Sequence, residues 1–199
     1  MRARPILFNT EMVRAILDGR KTFTRRLVKF LPGENPQWTG YIKDGLMLYN
    51  GKNELCIRKA PYQPGDILYV RETWSEWTDG YLYKAWTEPF PQPGQFPEIK
   101  WKPSIHMPKE AARIWLKVTD VRVERLQDIT EVGAINEGCI DDIEYAKGKS
   151  ARNHFVDMWN NTIKKSDLDK YGWSANPWVW VIEFERCKSR ERSRCNNDN

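Results

Sequence analysis

Lys21 and Thr24 are the two residues of this chain whose types and spacing best suit covalent chemistry. They stand three apart in DGRKTFTRR, residues 18–26. A threonine hydroxyl is a poor nucleophile until a base accepts its proton. A lysine can be that base only when burial or nearby cations pull its pKa down from about 10.4. Arg20, Arg25 and Arg26 are such cations if they face the same side. Taken alone, a basic turn of this kind more often forms a solvated face or a phosphate contact, and both readings stay open at this point.

Other chemical motifs are incomplete. GRKT lacks the first glycine of a phosphate-binding loop, and Arg20 rather than lysine follows Gly19. In GKS at 148–150, Ile143 stands where that first glycine belongs. HExxH and GxSxG do not occur. Cys56, Cys139, Cys187 and Cys195 form no CxxC pair, and the two histidines, His106 and His154, are far apart, so no zinc-ligand spacing exists. The expectation is no metal, no cofactor and reduced thiols. Asp141, Asp142 and Glu144 read as a solvated acidic loop. His106, in SIHMPKE, reads as structural before pocket-lining, and His154 as structural or exposed.

The elements that must position Lys21 and Thr24 are legible. RPILF (4–8) reads as a strand. NTEMVRAILDG follows, with Asn9 or Thr10 to cap a helix, Met12, Val13, Ile16 and Leu17 on one face, and Gly19 to end it. DGRKTFTRR therefore leaves a helix C-terminus, and TRRLVKF reads as extended. Within 31–65, Asp44-Gly45 and Asn50-Gly51 mark turns around two short strands. Pro64-Gly65-Asp66 turns into the alternating strand ILYVRETW. ARIWLKVTDVRVERL (112–126) is the best strand, with a break expected near Thr119-Asp120. DITEVGAINEG (128–138) reads as a short helix ending at Gly138. SARNHFVDMWNNTI (150–163) places Phe155, Met158, Trp159 and Ile163 at helical spacing, and NPWVWVIEFER (176–186) is a final strand. This order predicts an α+β, mostly β fold, a small β-barrel with flanking short helices. One domain over 1–185 is expected, with long insertions at about 29–60 and 76–103, followed by a basic tail at 186–199.

Composition sets the outer limits. No apolar run in the 199 residues approaches the roughly 18 needed to span a bilayer. MRARPILFNTEMV lacks the apolar core of a signal peptide, so a cytoplasmic protein is expected. Of the net charge of +5, much sits in the tail, where Arg186, Lys188, Arg190, Arg192 and Arg194 face only Glu191 and Asp198. The rest is nearly balanced, so any affinity for nucleic acid must come from local clusters. The ten tryptophans exceed ordinary usage; most read as core or loop anchors, with an aromatic-lined cleft as the other possibility.

GRKTFTRR resembles the signature of the ASCH domain family, Gly-x-Lys-x-x-Glu-x-Arg. Gly19, Lys21 and Arg26 match, and Thr24 replaces the consensus glutamate. That threonine is similar to the bacterial ASCH amidohydrolases that deacylate N4-acetylcytidine, whose Gly-Arg-Lys-Thr-x-Thr-x-Arg residues 19–26 reproduce. PGDILYV resembles the family's Gly-Asp strand entry. ITEVGAINEG resembles a helix that carries a glutamate seven residues after its threonine, here Thr130 and Glu137. RETW, PSIHMPKEAARIWL and NPWVWVIEFER are similar to the larger ASCH proteins of bacteriophages and prophages. The resemblance covers roughly 4–28, 61–74, 112–140 and the last strand. It implies a PUA-like β-barrel, with Lys21 as proton acceptor, Thr24 as nucleophile and Glu137 as proton donor. A slipped helix alignment brings in Glu131 instead. Arg26 or backbone N–H groups of the turn would hold the oxyanion, Arg25 would contact the ligand, Glu72 would bind its polar groups or stand as an exposed strand carboxylate, and Trp74 would stack on the base.

Two other functions compete. A non-catalytic module would grip RNA or single-stranded nucleic acid through Lys21, Arg25, Arg26 and a tryptophan platform. A phage accessory protein would bind a host or phage protein through the proline- and tryptophan-rich 76–103. No membrane partner is expected.

Overall fold

A computed structural model of the chain describes residues 3–30, 34–42, 45–50, 55–86, 99–139, 147–148 and 150–187. The architecture is α+β, rich in sheet, with a few short helices. The chain forms two compact units interleaved in sequence. The first holds Met1–Thr22, Gly65–Lys117 and Phe184–Asn199; the second holds Phe23–Pro64 and Val118–Glu183.

In the first unit, β1 (Arg4–Leu7) runs parallel to β6 (Ile67–Arg71). Strand β6 pairs antiparallel with the start of β9 (Trp115–Arg125), Ile67 opposite Lys117. Helix α1 (Thr10–Leu17) is capped by Asn9, whose side chain accepts the Met12 N–H at 2.8 Å. Such a cap is worth about 1 kcal/mol. Val13, Ala15 and Ile16 are fully buried, so the predicted apolar face is the packed one. The helix ends at Asp18, and Gly19 takes φ +78°, a left-handed conformation that glycine adopts without steric cost. The hairpin of β7 (Trp74–Trp77) and β8 (Gly80–Tyr83) occupies a stretch read from sequence as loop insertion. Its signal was Asp79-Gly80 between alternating aromatics.

In the second unit, β2 (Phe23–Leu27) pairs antiparallel with β10 (Trp178–Arg186), Thr24 opposite Ile182 and Arg26 opposite Trp180. Strands β3 (Glu34–Ile42), β4 (Gly45–Asn50) and β5 (Leu55–Lys59) form an antiparallel meander, one strand more than the two expected there. Helix α2 (Glu131–Asn136) starts at Thr130, whose hydroxyl accepts the Gly133 N–H at 3.0 Å. Helix α3 (Ala151–Thr162) is capped by Ser150, and α4 (Leu168–Tyr171) follows. Leu126, Ile129, Ala134, Phe155, Trp159, Val179 and Val181 form the core beneath α2 and α3. Full burial of such side chains stabilises the fold by about 1.5–3 kcal/mol each before chain entropy is counted.

Strands β9 and β10 contribute residues to both units, in the strand order β1-β6-β9-β10-β2. Strand β9 does not break at Thr119-Asp120. Those two residues are exposed while Val118 and Val123 are buried, so the apolar phase slips and the backbone pairing continues. Strand β10 runs through Arg186, and Cys187 is buried with its N–H on the Trp115 carbonyl at 2.8 Å. Residues 186 and 187 therefore belong to the strand end rather than the tail. Among the described residues no sheet closes into a barrel, and no helix is long and apolar enough to cross a membrane. Residues 87–98 of the expected partner-binding insertion, Asp141, Asp142 and Glu144, and 188–199 of the tail lie outside the described residues.

Candidate active site

The motif is not a solvated turn. Lys21 is 2% exposed and Thr24 is 4% exposed. In the first unit, Lys21 follows the Gly19 turn, and its N–H returns to the Ala15 carbonyl at 3.0 Å. Its Nζ lies 5.5 Å from the centroid of the Phe8 ring, a cation–π distance, and Phe8 packs against Phe184.

In the second unit, β2 carries Thr24, Arg25 and Arg26 in one extended run. Side chains alternate along a strand. Thr24 and Arg26 therefore share a face with their cross-strand partners Ile182 and Trp180. Arg25 takes the other face, opposite Val181 and over the core. Its guanidinium lies 5.8 Å from the Phe155 ring centroid. A Cβ added at Gly133 would meet Ile129 Cγ1 and Thr130 Oγ1 at 3.3 Å and Arg25 Nη2 at 3.4 Å, so this turn of α2 packs close to the Arg25 side chain.

Two carboxylates share the Arg25 guanidinium. Nε and Nη2 donate to Glu124 Oε1 at 3.0 and 2.6 Å, and Nη1 donates to Glu137 Oε1 at 3.1 Å. The Arg25 and Glu137 side chains are essentially without solvent exposure, and Glu124 retains a little. Removing one partner of an ion pair with so little exposure strands a buried charge, which costs far more than breaking a surface pair. Arg26 is partly buried. Burial lowers the pKa of its guanidinium from the ordinary value, against the opposing pull of Tyr62 and Glu137. The Glu137 carboxylate thus bonds one consecutive arginine and acts electrostatically on the other.

Glu131 has different work. It accepts the backbone N–H groups of Ala151 at 2.5 Å and Arg152 at 3.3 Å, so it caps the first turn of α3. Of the two glutamates that the helix alignment left open, Glu137 is the one that pairs with an arginine of β2.

Glu72 and Trp74 belong to the first unit. Glu72 is 1% exposed, and both its oxygens accept from Arg113, at 2.9 and 3.0 Å. Arg113 stacks on Tyr83, 4.3 Å from its centroid. Trp74 is buried, edge-on to Tyr81, with Lys102 Nζ 4.9 Å from its ring centroid. Among the described residues its indole N–H has no hydrogen-bond partner. His106 is exposed at the end of a 3-10 turn, and His154 is exposed on α3.

Sequence reasoning passed over Glu124 and Arg113. Both read as ordinary charged residues in or beside a strand, and their partners lie 99 and 41 residues away. No group of three or more His, Cys, Asp or Glu side chains among the described residues is placed to hold a metal ion. The chemistry on hand is thus a buried hydroxyl and a buried lysine from one short segment, and a buried carboxyl anchored by arginine. No protein-family model, no curated protein and no solved structure matches the chain.

Proposed function

We propose that this protein is an amidohydrolase of the ASCH type that removes the acyl group from N4-acylcytidine or a similar modified nucleoside. The observation that carries the reading is the burial of Lys21 and Thr24. A basic turn that tracks phosphate keeps its cations in water, whereas a nucleophile and its base work best withdrawn from it. Arg25, committed to Glu124 and Glu137, is also poorly placed to grip phosphate. The family assignment and its PUA-like fold are part of this proposal and rest on the residues of GRKTFTRR.

In the proposed reaction, Thr24 Oγ1 attacks the acyl carbon and passes its proton to Lys21. The C–N bond breaks, and the cytosine amine leaves with a proton from Glu137. Water then attacks the threonine ester and gives its proton to Glu137. The acid departs, and Thr24 recovers its proton from Lys21. Arg26, on the Thr24 face of β2, is the side chain offered to the developing oxyanion. Trp180, opposite Arg26 on β10, is an aromatic candidate for stacking on the base.

The test is release of cytidine from N4-acetylcytidine by the purified chain. Turnover supports the reading. Absence of turnover, with salt-dependent binding of single-stranded RNA, would replace it with the nucleic-acid module.

A further inference from the structure

The second unit holds a cavity that the proposed reaction does not use. Its volume is about 340 Å³, the size of a small-molecule site. It is lined by Asn160 of α3, Leu168 and Asp169 of α4, Gly172, and Trp173 and Ser174 of the 3-10 turn that follows. The wall is held by the chain itself. The Trp173 N–H donates to Asn160 Oδ1 at 2.9 Å, and Gln127 Nε2 donates to the Trp173 carbonyl at 2.9 Å. The Arg152 guanidinium lies 4.8 Å from an indole ring centroid of Trp173, and Phe155 meets that side chain edge-on at 6.3 Å. A Cβ at Gly172 would stand 2.6 Å from the Leu168 carbonyl oxygen, so glycine lets the chain turn this closely from α4 into the Trp173 turn.

The polar groups of this wall are unspent. The Trp173 N–H can meet only the amide oxygen of Asn160, which leaves Nδ2 with two donors and no acceptor among the described residues. Likewise, the Asp169 carboxylate and the Ser174 hydroxyl, both on exposed residues, have no partner among the described residues. A carboxylate that accepts, an amide N–H that donates and a hydroxyl that does both complement neighbouring hydroxyl groups, each of which donates and accepts. The indole of Trp173 suits the C–H face of a saturated ring. Exposed Lys164, Lys165 and Lys170 surround Asp169 in sequence, so its single carboxylate builds no negative field that would select a cation. We propose that this cavity binds the ring of a neutral sugar, with Asp169 and Asn160 on adjacent hydroxyls and Trp173 against the C–H face.

This inference does not rest on the hydrolase reading, and a wild type that releases no cytidine leaves it standing. The test is saturation-transfer NMR on the full chain with glucose, galactose, mannose and ribose at millimolar concentration, and with spermidine as a cationic probe. At least one of the sugars should bind with a Kd on the order of millimolar. Asp169→Ala should weaken that binding by about tenfold or more, and Ser174→Ala by less. Both side chains lack partners among the described residues, so both variants should melt as the wild type does. Absence of transfer from all of these sugars overturns the inference. So does sugar binding that both variants leave unchanged, which would place the sugar elsewhere. Binding of spermidine without any sugar also overturns it and makes the cavity a cation site.

Discussion

Glu131 Oε1 accepts the Ala151 N–H at 2.5 Å, so the first residue of α2 caps the first turn of α3 across 20 residues of chain. A charged acceptor at a helix start satisfies orphan N–H groups and favours the helix dipole. Glu131→Ala should cost about 1–2 kcal/mol of stability, read as a lower urea midpoint. Per folded molecule, cytidine release should stay as in the wild type. Loss of turnover in a folded Glu131→Ala protein would show that the wrong glutamate of α2 has been assigned to the chemistry.

Glu72 and Arg113 make a second test, on stability alone. Removing Arg113 strands a carboxylate that is 1% exposed. Arg113→Ala should destabilise by about 3 kcal/mol or more, and adding Glu72→Leu should recover much of that loss. Urea denaturation of both variants measures it. Equal stability of Arg113→Ala and wild type would mean that Glu72 is not held by this pair in solution.

Tyr83 supplies a pH dependence. Burial raises its phenol above the ordinary value. Arg113 pulls the other way, and Glu72 and Tyr81 add to the rise. The folded state therefore holds this proton more tightly than the unfolded chain does. The stability it contributes is complete below about pH 10 and is lost as pH rises through the folded value. The unfolding midpoint should fall in that alkaline range, and Tyr83→Phe should flatten the fall. That variant also loses the 2.6 Å bond to the Ala111 carbonyl, at a cost of about 1–2 kcal/mol at every pH. A Tyr83→Phe protein with the same alkaline slope as wild type would assign the effect to other groups.

Helices α1, α2 and α3 were legible because their signals are local. Asn9 and Thr130 are caps, Gly19 and Gly138 take positive φ at the ends, and Phe155 and Trp159 repeat at helical spacing. The same holds for β10, an almost unbroken apolar run. Strand β9 was read in two pieces because exposed Thr119-Asp120 mimics a turn when only the apolar pattern is followed. The burial of the motif was not legible. Arg25 looks solvated until Glu124 and Glu137 arrive from 99 and 112 residues away. Pairing across such separations is set by tertiary packing, which composition and periodicity do not record.

Thr24→Ala tests the central claim most directly, with turnover and binding of N4-acetylcytidine measured on the same folded sample. Thr24 is buried on β2 opposite Ile182, and trimming its side chain to alanine leaves the strand pairing available. The account predicts that cytidine release falls by about a thousandfold or more while ligand affinity stays within a few-fold of wild type. Turnover equal to wild type would contradict it, because the nucleophile would then lie elsewhere.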